Sequence, residues 1–484
     1  MRGSRIIAAG GALLLSLTAV AVTAPSVPPV EAAGRYRVRA SRVGPGLRLL
    51  RIKDTRGPNR IRVLKLDPTN SLTLHMELAN DKIPDHERTS SMASRNNALA
   101  AINGDYTLLP SDPLKGRPVH TFAQSTELIA SPLLWGRNFA LTPDEQTVYI
   151  GHPKFRASLT QQETGEVWNI DAWNEVPARY GQFSMYTTAG GYNHQPPRDA
   201  CSTRLLPLGS PALHEDQVNV VQSFYVDVTR CQWKRLPRRG GSVLAARRGS
   251  KQATMIKSGL VPGETVTVAW TTGWARVTET IGGNPTLLEN GVITAENCTD
   301  SYFCKRNPRT GIGINKRGRI LLVTVDGRRK RSIGMKPVAF ARLFRWLGAT
   351  SALNLDGGGS TTMWVRGRIV NVPSGSSERP VGSSILVVRD GSKPVPTPTP
   401  TPSPSPSETS ILPPREATAL SIESGTGALE SERTACAVLR DPASTGGLLD
   451  YLDKRRGGRA FQGALGRALE VFRGRLPCRT FAGR

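Results

Sequence analysis

Residues 352–367 read ALNLDGGGSTTMWVRG, in which one apolar run ends in Asp356, three glycines and three hydroxyl residues before a second apolar run begins. Three consecutive glycines lose much conformational entropy on folding and pack no side chain, so a demanding turn or a ligand that needs bare backbone must compensate. Successive unshielded amides also form a concavity that binds anions. The stretch therefore predicts two strands joined by a phosphate-binding loop, with the structural alternative that Asp356 only caps a tight turn.

The loop does not match two better-known motifs. No lysine follows the glycines, so it is not a Walker A loop, and it contains no G-x-S-x-G, so it is not a nucleophile elbow. The carboxylate and the hydroxyl groups next to the glycines nevertheless suit an anionic substrate.

The rest of the central sequence predicts many strands and few helices. Apolar runs with high β propensity read as strands at 60–67, 71–78, 218–228, 265–270 and 383–388. Hairpins are predicted at 310–328, with a turn at 316–318, and at 362–372, with a turn at 366–367. A helix is predicted over 336–349 because apolar side chains recur on one face, at Phe340, Leu343, Phe344 and Leu347. The class is therefore α+β, with a mixed β-sheet core, few helices, a Pro-rich linker and a small helical module at the C-terminus.

The N-terminus has the layout of a secretory signal peptide over residues 1–32. Arg2 and Arg5 precede an apolar run, and small residues favour cleavage after Ala24 or Ala32. The alternative is an uncleaved membrane anchor. The expected location is secreted, extracellular or cell-wall associated, with membrane contact only through this segment.

Composition divides the remainder into three parts. Residues 35–391 form one large unit of catalytic size. Residues 392–408 are a Pro/Thr/Ser-rich tract, which favours an extended conformation and reads as a linker. Residues 409–484 have a helical pattern and read as a small C-terminal module without evident chemistry.

Six cysteines fit an oxidising compartment. Pairing between neighbours leaves none over and predicts three disulfides: Cys201–Cys231, Cys298–Cys304 and Cys436–Cys478. A metal site is the alternative, but no C-x-x-C or H-E-x-x-H pattern supports it.

The net charge of +26 on 484 residues favours anionic partners. Lys and Arg are spread through the chain without a nucleic-acid-binding motif, so nucleic acid is not a predicted partner. A phosphorylated glycan or an anionic cell-wall polymer is the predicted substrate class.

Polar residues at several predicted strand ends carry a family resemblance. The order INGDY (102–106), GGNPTLLENG (282–291), RTGIGINKRGRILLVTVDGR (309–328) and LDGGGSTTM (355–363) resembles the phosphodiester glycosidase family. The resemblance covers roughly residues 60–390. One departure is Thr107, where that family commonly has an aromatic residue, and it places the shape of the substrate site in doubt.

The resemblance implies hydrolysis of a sugar-1-phosphodiester at its glycosidic bond, which releases the sugar and leaves a phosphomonoester. Because that leaving group is good, charge stabilisation can replace a strong general acid. Arginine and loop amides would then hold the phosphate, and carboxylates would act at the anomeric carbon. The predicted catalytic residues are Asp356, Asp326, Asp105 and Arg309. The predicted substrate contacts are Asn103, Gly104, Thr310, Asn354, Gly357, Gly358, Gly359, Ser360 and Thr361.

Alternatives stay open at this stage. Asp326 has a turn-forming interpretation in its Asp-Gly pair, and Asn354 has one as a buried residue that bonds backbone. His75, His120 and His194 have no evident partner and are interpreted as solvated or structural. The chemistry requires no cofactor, and the sequence does not decide whether the carboxylates hold a divalent cation. A non-catalytic protein of cell-wall or exopolysaccharide binding or assembly is the alternative function.

Overall fold

The computed structural model describes residues 34–389 except 68–71, 113, 134–135, 143–146, 176–180, 191–195, 197–198, 215–218, 232–240 and 296–301. The predicted signal peptide, linker and C-terminal module lie outside the described residues. So do four single residues on which predictions were made: His194, Cys298, Cys436 and Cys478.

Strands dominate the described chain. The first thirteen are β1 (Tyr36–Gly44), β2 (Leu47–Asp54), β3 (Asn59–Leu66), β4 (Leu72–Leu78), β5 (Ala100–Asn103), β6 (Phe122–Gln124), β7 (Glu127–Ala130), β8 (Arg137–Leu141), β9 (Val148–Gly151), β10 (Arg156–Gln161), β11 (Val167–Asn169), β12 (Ala172–Trp173) and β13 (Phe183–Tyr186). The others are β14 (Ala200–Pro207), β15 (Ala212–Leu213), β16 (Val220–Cys231), β17 (Ser242–Arg247), β18 (Thr265–Thr271), β19 (Glu279–Gly283), β20 (Thr286–Glu289), β21 (Val292–Ile293), β22 (Arg309–Asn315), β23 (Ile320–Val325), β24 (Ala349–Asn354), β25 (Met363–Val365), β26 (Arg368–Ile369) and β27 (Ser383–Arg389). The helices are α1 (Thr89–Arg95), α2 (Lys251–Gly259) and α3 (Pro337–Trp346).

These strands form four sheets. Sheet I has the order β1-β2-β3-β23-β22-β24-β20-β21, and sheet II the order β11-β10-β18-β16-β14-β17-β13-β12, with β15 beside β16. Sheet III has the order β7-β6-β19-β8-β9, and sheet IV the order β26-β25-β5-β27-β4. Among the described ladders only β12–β13 is parallel. The α+β class is confirmed, with the sheets almost wholly antiparallel.

The local sequence explains the elements that were predicted. In β18 the buried residues Val266, Val268 and Trp270 alternate with half-buried ones, as a half-buried strand requires. The predicted hairpins are present as β22–β23 and β25–β26. Helix α3 begins at Pro337 and buries Phe340, Leu343 and Phe344, as predicted. It ends earlier than predicted, shortly before Gly348 at φ +89. No described helix is long and apolar enough to cross a membrane.

The main hydrophobic core joins sheets I, III and IV. Its buried members include Leu64, Phe122, Ile281, Leu355 and Ile385. Sheet II encloses a second core with α2, and α3 covers a third against sheet I. The loops at the meeting point of sheets I, III and IV are therefore held by strands from both ends of the described chain.

One predicted disulfide is confirmed. Cys201 and Cys231 face each other across the β14–β16 ladder and are bonded at 2.03 Å. Cys304 is also disulfide-bonded, with a partner outside the described residues. The two remaining pairings stay predictions.

Candidate active site

The glycine loop, defined as residues 356–361, lies where sheets I and IV meet. After β24 the amide of Leu355 donates to the carbonyl of Thr310 at 2.9 Å. The amide of Asp356 then donates to the carbonyl of Gly104, just past β5, at 3.1 Å. Since β22 and β24 are paired neighbours, the loop stands beside the start of β22.

Buried polar side chains organise the backbone of this loop. Nδ2 of Asn103 donates to the carbonyl of Asp356 at 2.7 Å. Its Oδ1 accepts from Oγ1 of Thr310 at 2.8 Å and from the amide of Thr362 at 3.1 Å. Thr310 also lies 3.3 Å from Oγ1 of Thr361. Asn103, Thr310 and Thr361 were predicted as substrate contacts, but they are buried and bonded to each other or to the loop, so they shape it from behind.

The loop amides are less available to an anion than predicted. The amide of Gly358, at φ +60, donates to the carbonyl of Pro308 at 3.0 Å. The amide of Ser360 donates to the carbonyl of Gly357 at 3.1 Å, and that of Thr361 to the carbonyl of Gly358 at 3.4 Å. The expected row of unshielded amides is therefore largely satisfied within the chain. The glycine loop is therefore closer to a tight turn than to an open anion-binding site.

The loop wraps the carboxyl group of Asp356 instead. Burial raises the pKa of Asp356 to about 6, and the charge of Asp105 raises it further. The hydroxyl of Ser360, the charge of Arg379 and the amide of Gly357 oppose that rise in pKa. Asp356 as a residue is partly exposed, and its carboxyl group is poised near neutrality.

Two exposed arginines flank the glycines. A Cβ atom added at Gly359 would overlap the guanidinium of Arg379, and one added at Gly358 would lie 3.1 Å from Nη2 of Arg328. Nη2 of Arg328 is steadied at 3.1 Å from Oδ1 of Asn307. The glycines thus leave room for two guanidinium groups beside the loop, which sequence analysis did not identify.

Asp105 pairs with a histidine. Its Oδ1 lies 2.7 Å from Nδ1 of His120, and its Oδ2 accepts from the amide of His120 at 3.1 Å. Both side chains are buried. Nε2 of His120 is buried with no hydrogen-bond partner in the described structure. Added Cβ atoms at Gly136 or Gly282 would overlap the imidazole, so these glycines make room for it.

Asn354 and Tyr106 link this pair to the loop. Nδ2 of Asn354 donates to Oη of Tyr106 at 2.7 Å and to the carbonyl of Asn284 at 2.9 Å. Burial and the negative charge of Asp356 hold the pKa of Tyr106 well above its usual value. The backbone-bonding interpretation of Asn354 thus describes its contacts better than a direct sugar contact.

Arg309 does not present a bidentate fork to a phosphate. Its Nε donates to the carbonyl of Met335 at 2.9 Å, and Nη2 donates to the carbonyls of Lys305 and Phe303. The guanidinium also lies over the ring of Phe303, 4.6 Å from its centroid. Because Nε and both hydrogens of Nη2 are committed, only Nη1 remains. Burial lowers the pKa of Arg309 to about 10, and the side chain anchors the segment before β22.

Asp326 makes structural contacts apart from the other predicted carboxylates. Its Oδ1 accepts from the amide of Val372 at 3.0 Å, and its carbonyl accepts from the hydroxyl of Ser332 at 2.6 Å. Burial raises its pKa, opposed by the Val372 amide and the charge of Arg62. These contacts tie the end of β23 to Ser332 and Val372.

No group of three or more His, Cys, Asp or Glu residues in the described parts of the chain is arranged to hold a metal ion.

Residues 216–388 match the model of the phosphodiester glycosidase family, which confirms the resemblance over this part of the chain. The match includes Arg309, Asp326 and the glycine loop. Asn103, Asp105 and His120 lie before it, although the fold brings them to the same site.

Known proteins resemble the chain only in part. The uncharacterized protein YomE, derived from the SPbeta prophage of Bacillus subtilis (strain 168), is 35% identical over 94 residues, which are 19% of this chain and 15% of that protein. A hypothetical protein from Synechocystis superposes with a TM-score of 0.55 at 19% identity, covering 72% of this chain and 63% of that one. A protein of Burkholderia pseudomallei K96243, named as exported, superposes with a TM-score of 0.52 at 22% identity, covering 69% and 74%. These structural likenesses establish a shared fold.

Proposed function

We propose that this chain is a hydrolase of sugar-1-phosphodiesters that cleaves the bond between the anomeric carbon and the phosphate oxygen. The observation that carries the proposal is the placement of Arg379 over Gly359 while its charge acts on the Asp356 carboxyl. A cationic group for a phosphate and a carboxylate for a sugar carbon thus adjoin, within the family region.

The phosphate would be held by exposed guanidinium groups. Arg379 and Arg328 supply charged donors at the glycine loop, in place of the predicted Arg309. Their charge stabilises the phosphomonoester as it leaves, which reduces the need for a strong general acid. A phosphorylated glycan or an anionic cell-wall polymer fits this requirement.

Asp356 would act at the anomeric carbon, as nucleophile or as base towards water. Either role needs the ionised form, so a pKa of about 6 gives an active carboxylate at neutral pH. The Asp105–His120 pair is the candidate for a second proton-transfer group, because Asp105 fixes Nδ1 and Nε2 has no hydrogen-bond partner in the described structure.

Export is part of the proposal. The signal-peptide pattern of residues 1–32, the Cys201–Cys231 disulfide and the exported name of the Burkholderia protein support it. N-terminal sequencing of secreted protein should begin after Ala24 or Ala32, and a chain that still begins at Met1 would contradict export.

The deciding experiment treats purified protein with synthetic sugar-1-phosphodiesters in water enriched in oxygen-18. Cleavage at the anomeric carbon places the label on the sugar, and the phosphomonoester stays unlabelled by mass spectrometry. Label in the phosphomonoester would mean attack at phosphorus, which overturns the glycosidase assignment. Retention of anionic glycan without turnover, equal in wild type and Asp356→Asn, would favour the non-catalytic alternative.

A further inference from the structure

A cavity of about 530 Å³, separate from the glycine loop, opens between the β6–β7 hairpin and sheet II. It has the size of a small-molecule site. It shares no lining residue with the glycine loop. Strand β19 separates the two places: Glu279 at its start supports the cavity side, whereas Gly283 at its end touches Asn354. Four residues of strand span about 13 Å.

One wall of this cavity is polar and carries a half-buried carboxyl side chain. Glu127 lines the cavity, and no hydrogen bond or ion pair to its side chain occurs within the described structure. The amides Gln124 and Gln222 lie on the same lining. Oε1 of Gln124 accepts from the amide of Leu78 and Nε2 of Gln222 donates to the carbonyl of Gly209, so Nε2 of Gln124 and Oε1 of Gln222 are the groups that would meet a ligand. Burial, together with the charge of Asp81, raises the pKa of Glu127 to about 7. A carboxyl group in this setting gains from a ligand that can donate hydrogen bonds.

The opposite wall is apolar and comes from sheet II. Phe224, Val268 and Trp270 line it from neighbouring strands. A ligand that fills the space therefore needs one face of C–H groups and another of hydrogen-bonding groups.

The charges exclude a phosphate as the natural occupant. Among the described lining residues, Asp81, Glu127 and Arg95 carry charge. Arg95 is already paired with Asp81 at 3.0 Å and Glu87 at 3.2 Å, and it contacts Glu77 as well. This cavity is acidic in a chain of net charge +26, so its ligand differs in charge from that of the glycine loop.

The polar wall is also built at a conformational cost. Ser125 and Thr126 hold consecutive left-handed conformations at φ 46 and φ 71, and Asp81 does so at φ 53. Such non-glycine conformations cost about 1–3 kcal/mol each and persist where the surroundings fix them. The amide of Ser125 donates to the buried Glu279 carboxylate at 3.0 Å, which anchors the turn.

We propose that this cavity binds an uncharged saccharide unit, with its hydroxyls on Glu127 and the amide side chains and its C–H face on the wall of Phe224 and Trp270. Carboxylate and amide groups accept and donate to neighbouring hydroxyls, and the apolar wall receives the ring face. The proposal does not depend on the glycosidase assignment, because it concerns a separate place with opposite charge.

The test uses ligand-observed NMR and calorimetric titration with cellobiose, maltose and N,N′-diacetylchitobiose on the whole protein. At least one disaccharide should bind, and Glu127→Leu should weaken it by about tenfold or more, the loss expected for a charge-assisted hydrogen bond. Wild-type affinity should rise with pH through about 7 as the carboxyl ionises, and Glu127→Gln should remove that dependence.

Matched variants separate the possible results. Glu163→Gln alters an exposed glutamate elsewhere and should leave saccharide affinity unchanged. Asp356→Asn should also leave it unchanged, which distinguishes this cavity from the glycine loop. Failure of all three disaccharides to bind overturns the proposal, and so does binding that Glu127→Leu does not weaken.

Discussion

Oδ1 of Asp105 lies 2.7 Å from Nδ1 of His120, and Nε2 on the far side of the same buried ring has no hydrogen-bond partner in the described structure. A carboxylate that accepts from Nδ1–H leaves the lone pair on Nε2, so the pair fixes both the tautomer and the direction of proton exchange. His120 was interpreted from sequence as structural or solvated, because its partner is a strand end 15 residues earlier.

Replacement of His120 by Asn should keep the bond to Asp105 while removing the outer nitrogen. We expect kcat to fall by about 100-fold, the usual share of a general acid–base group, with little change in melting temperature. The KM should change little in His120→Asn, because the ring is assigned to proton transfer and not to substrate binding. His120→Gln, which restores a nitrogen near the Nε2 position, is the control for packing. A kcat that stays unchanged in a folded His120→Asn variant would show that this ring has a purely structural role.

Asp356→Asn should reduce turnover by at least about 100-fold, because the amide keeps the shape but loses the charge that acts at the sugar carbon. In the wild type, kcat/KM should rise with pH through about 6, since the deprotonated carboxyl is the active form. Initial rates between pH 4 and pH 8 measure this limb. A wild-type rate that is flat across pH 6 would remove Asp356 from the chemistry.

Arg379→Gln should weaken phosphodiesters selectively. Loss of one charge-assisted contact corresponds to about 10–100-fold in kcat/KM. The loss should be much smaller on an uncharged aryl glycoside of the same sugar. Arg309→Lys is the comparison: because Arg309 bonds backbone carbonyls, it should lower stability and affect both substrates alike. If Arg309→Lys selectively weakened phosphodiesters and Arg379→Gln affected both substrates alike, Arg309 would be the residue that binds the phosphate.

His75 should make stability depend on pH. It lies buried between Glu77 at 2.7 Å and Glu279 at 3.1 Å, and these carboxylates raise its pKa to about 10 against the opposing effect of burial. A raised pKa contributes stability that is complete below the unfolded value of 6.5 and is lost as pH climbs towards 10. Urea unfolding at pH 6 to 10 should therefore show a steady decline.

His75→Asn should flatten that decline and cost about 3 kcal/mol at pH 6, because two buried carboxylates lose their cation. His86 is the control. Burial lowers its pKa, so its ionisation changes the free energy of unfolding only at pH values below about 6.5. A His75→Asn curve parallel to that of the wild type would show that the ring is neutral in the fold.

Much of the fold could be predicted from the sequence, because the signals were local. Turn residues gave the two hairpins, and periodicity gave α3 from Phe340 to Phe344. The arrangement of the candidate site was harder to predict from the sequence. Arg379 reaches Gly359 across a loop, and the carbonyls that occupy Arg309 converge only in three dimensions. Asn103 and Thr310 were recognised as site residues, but their burial behind the loop could not be read from their order.

The interleaving of the strands decides when this protein can fold. Strand β4 pairs along its length with β27, from Leu72 opposite Arg389 to Leu78 opposite Ser383, and β5 is inserted between β25 and β27. Sheet IV therefore stays open until nearly all the described chain has been synthesised, and contacts of such sequence separation form slowly.

Residues 216–388 expressed alone would lack β3, β4 and β5. Their partners β23, β25 and β27 would then be unpaired edge strands, which are prone to aggregation. A nascent chain that cannot close its sheets early stays unfolded for longer. That delay is compatible with the proposed export, in which the chain would cross a membrane unfolded and complete its fold on the far side.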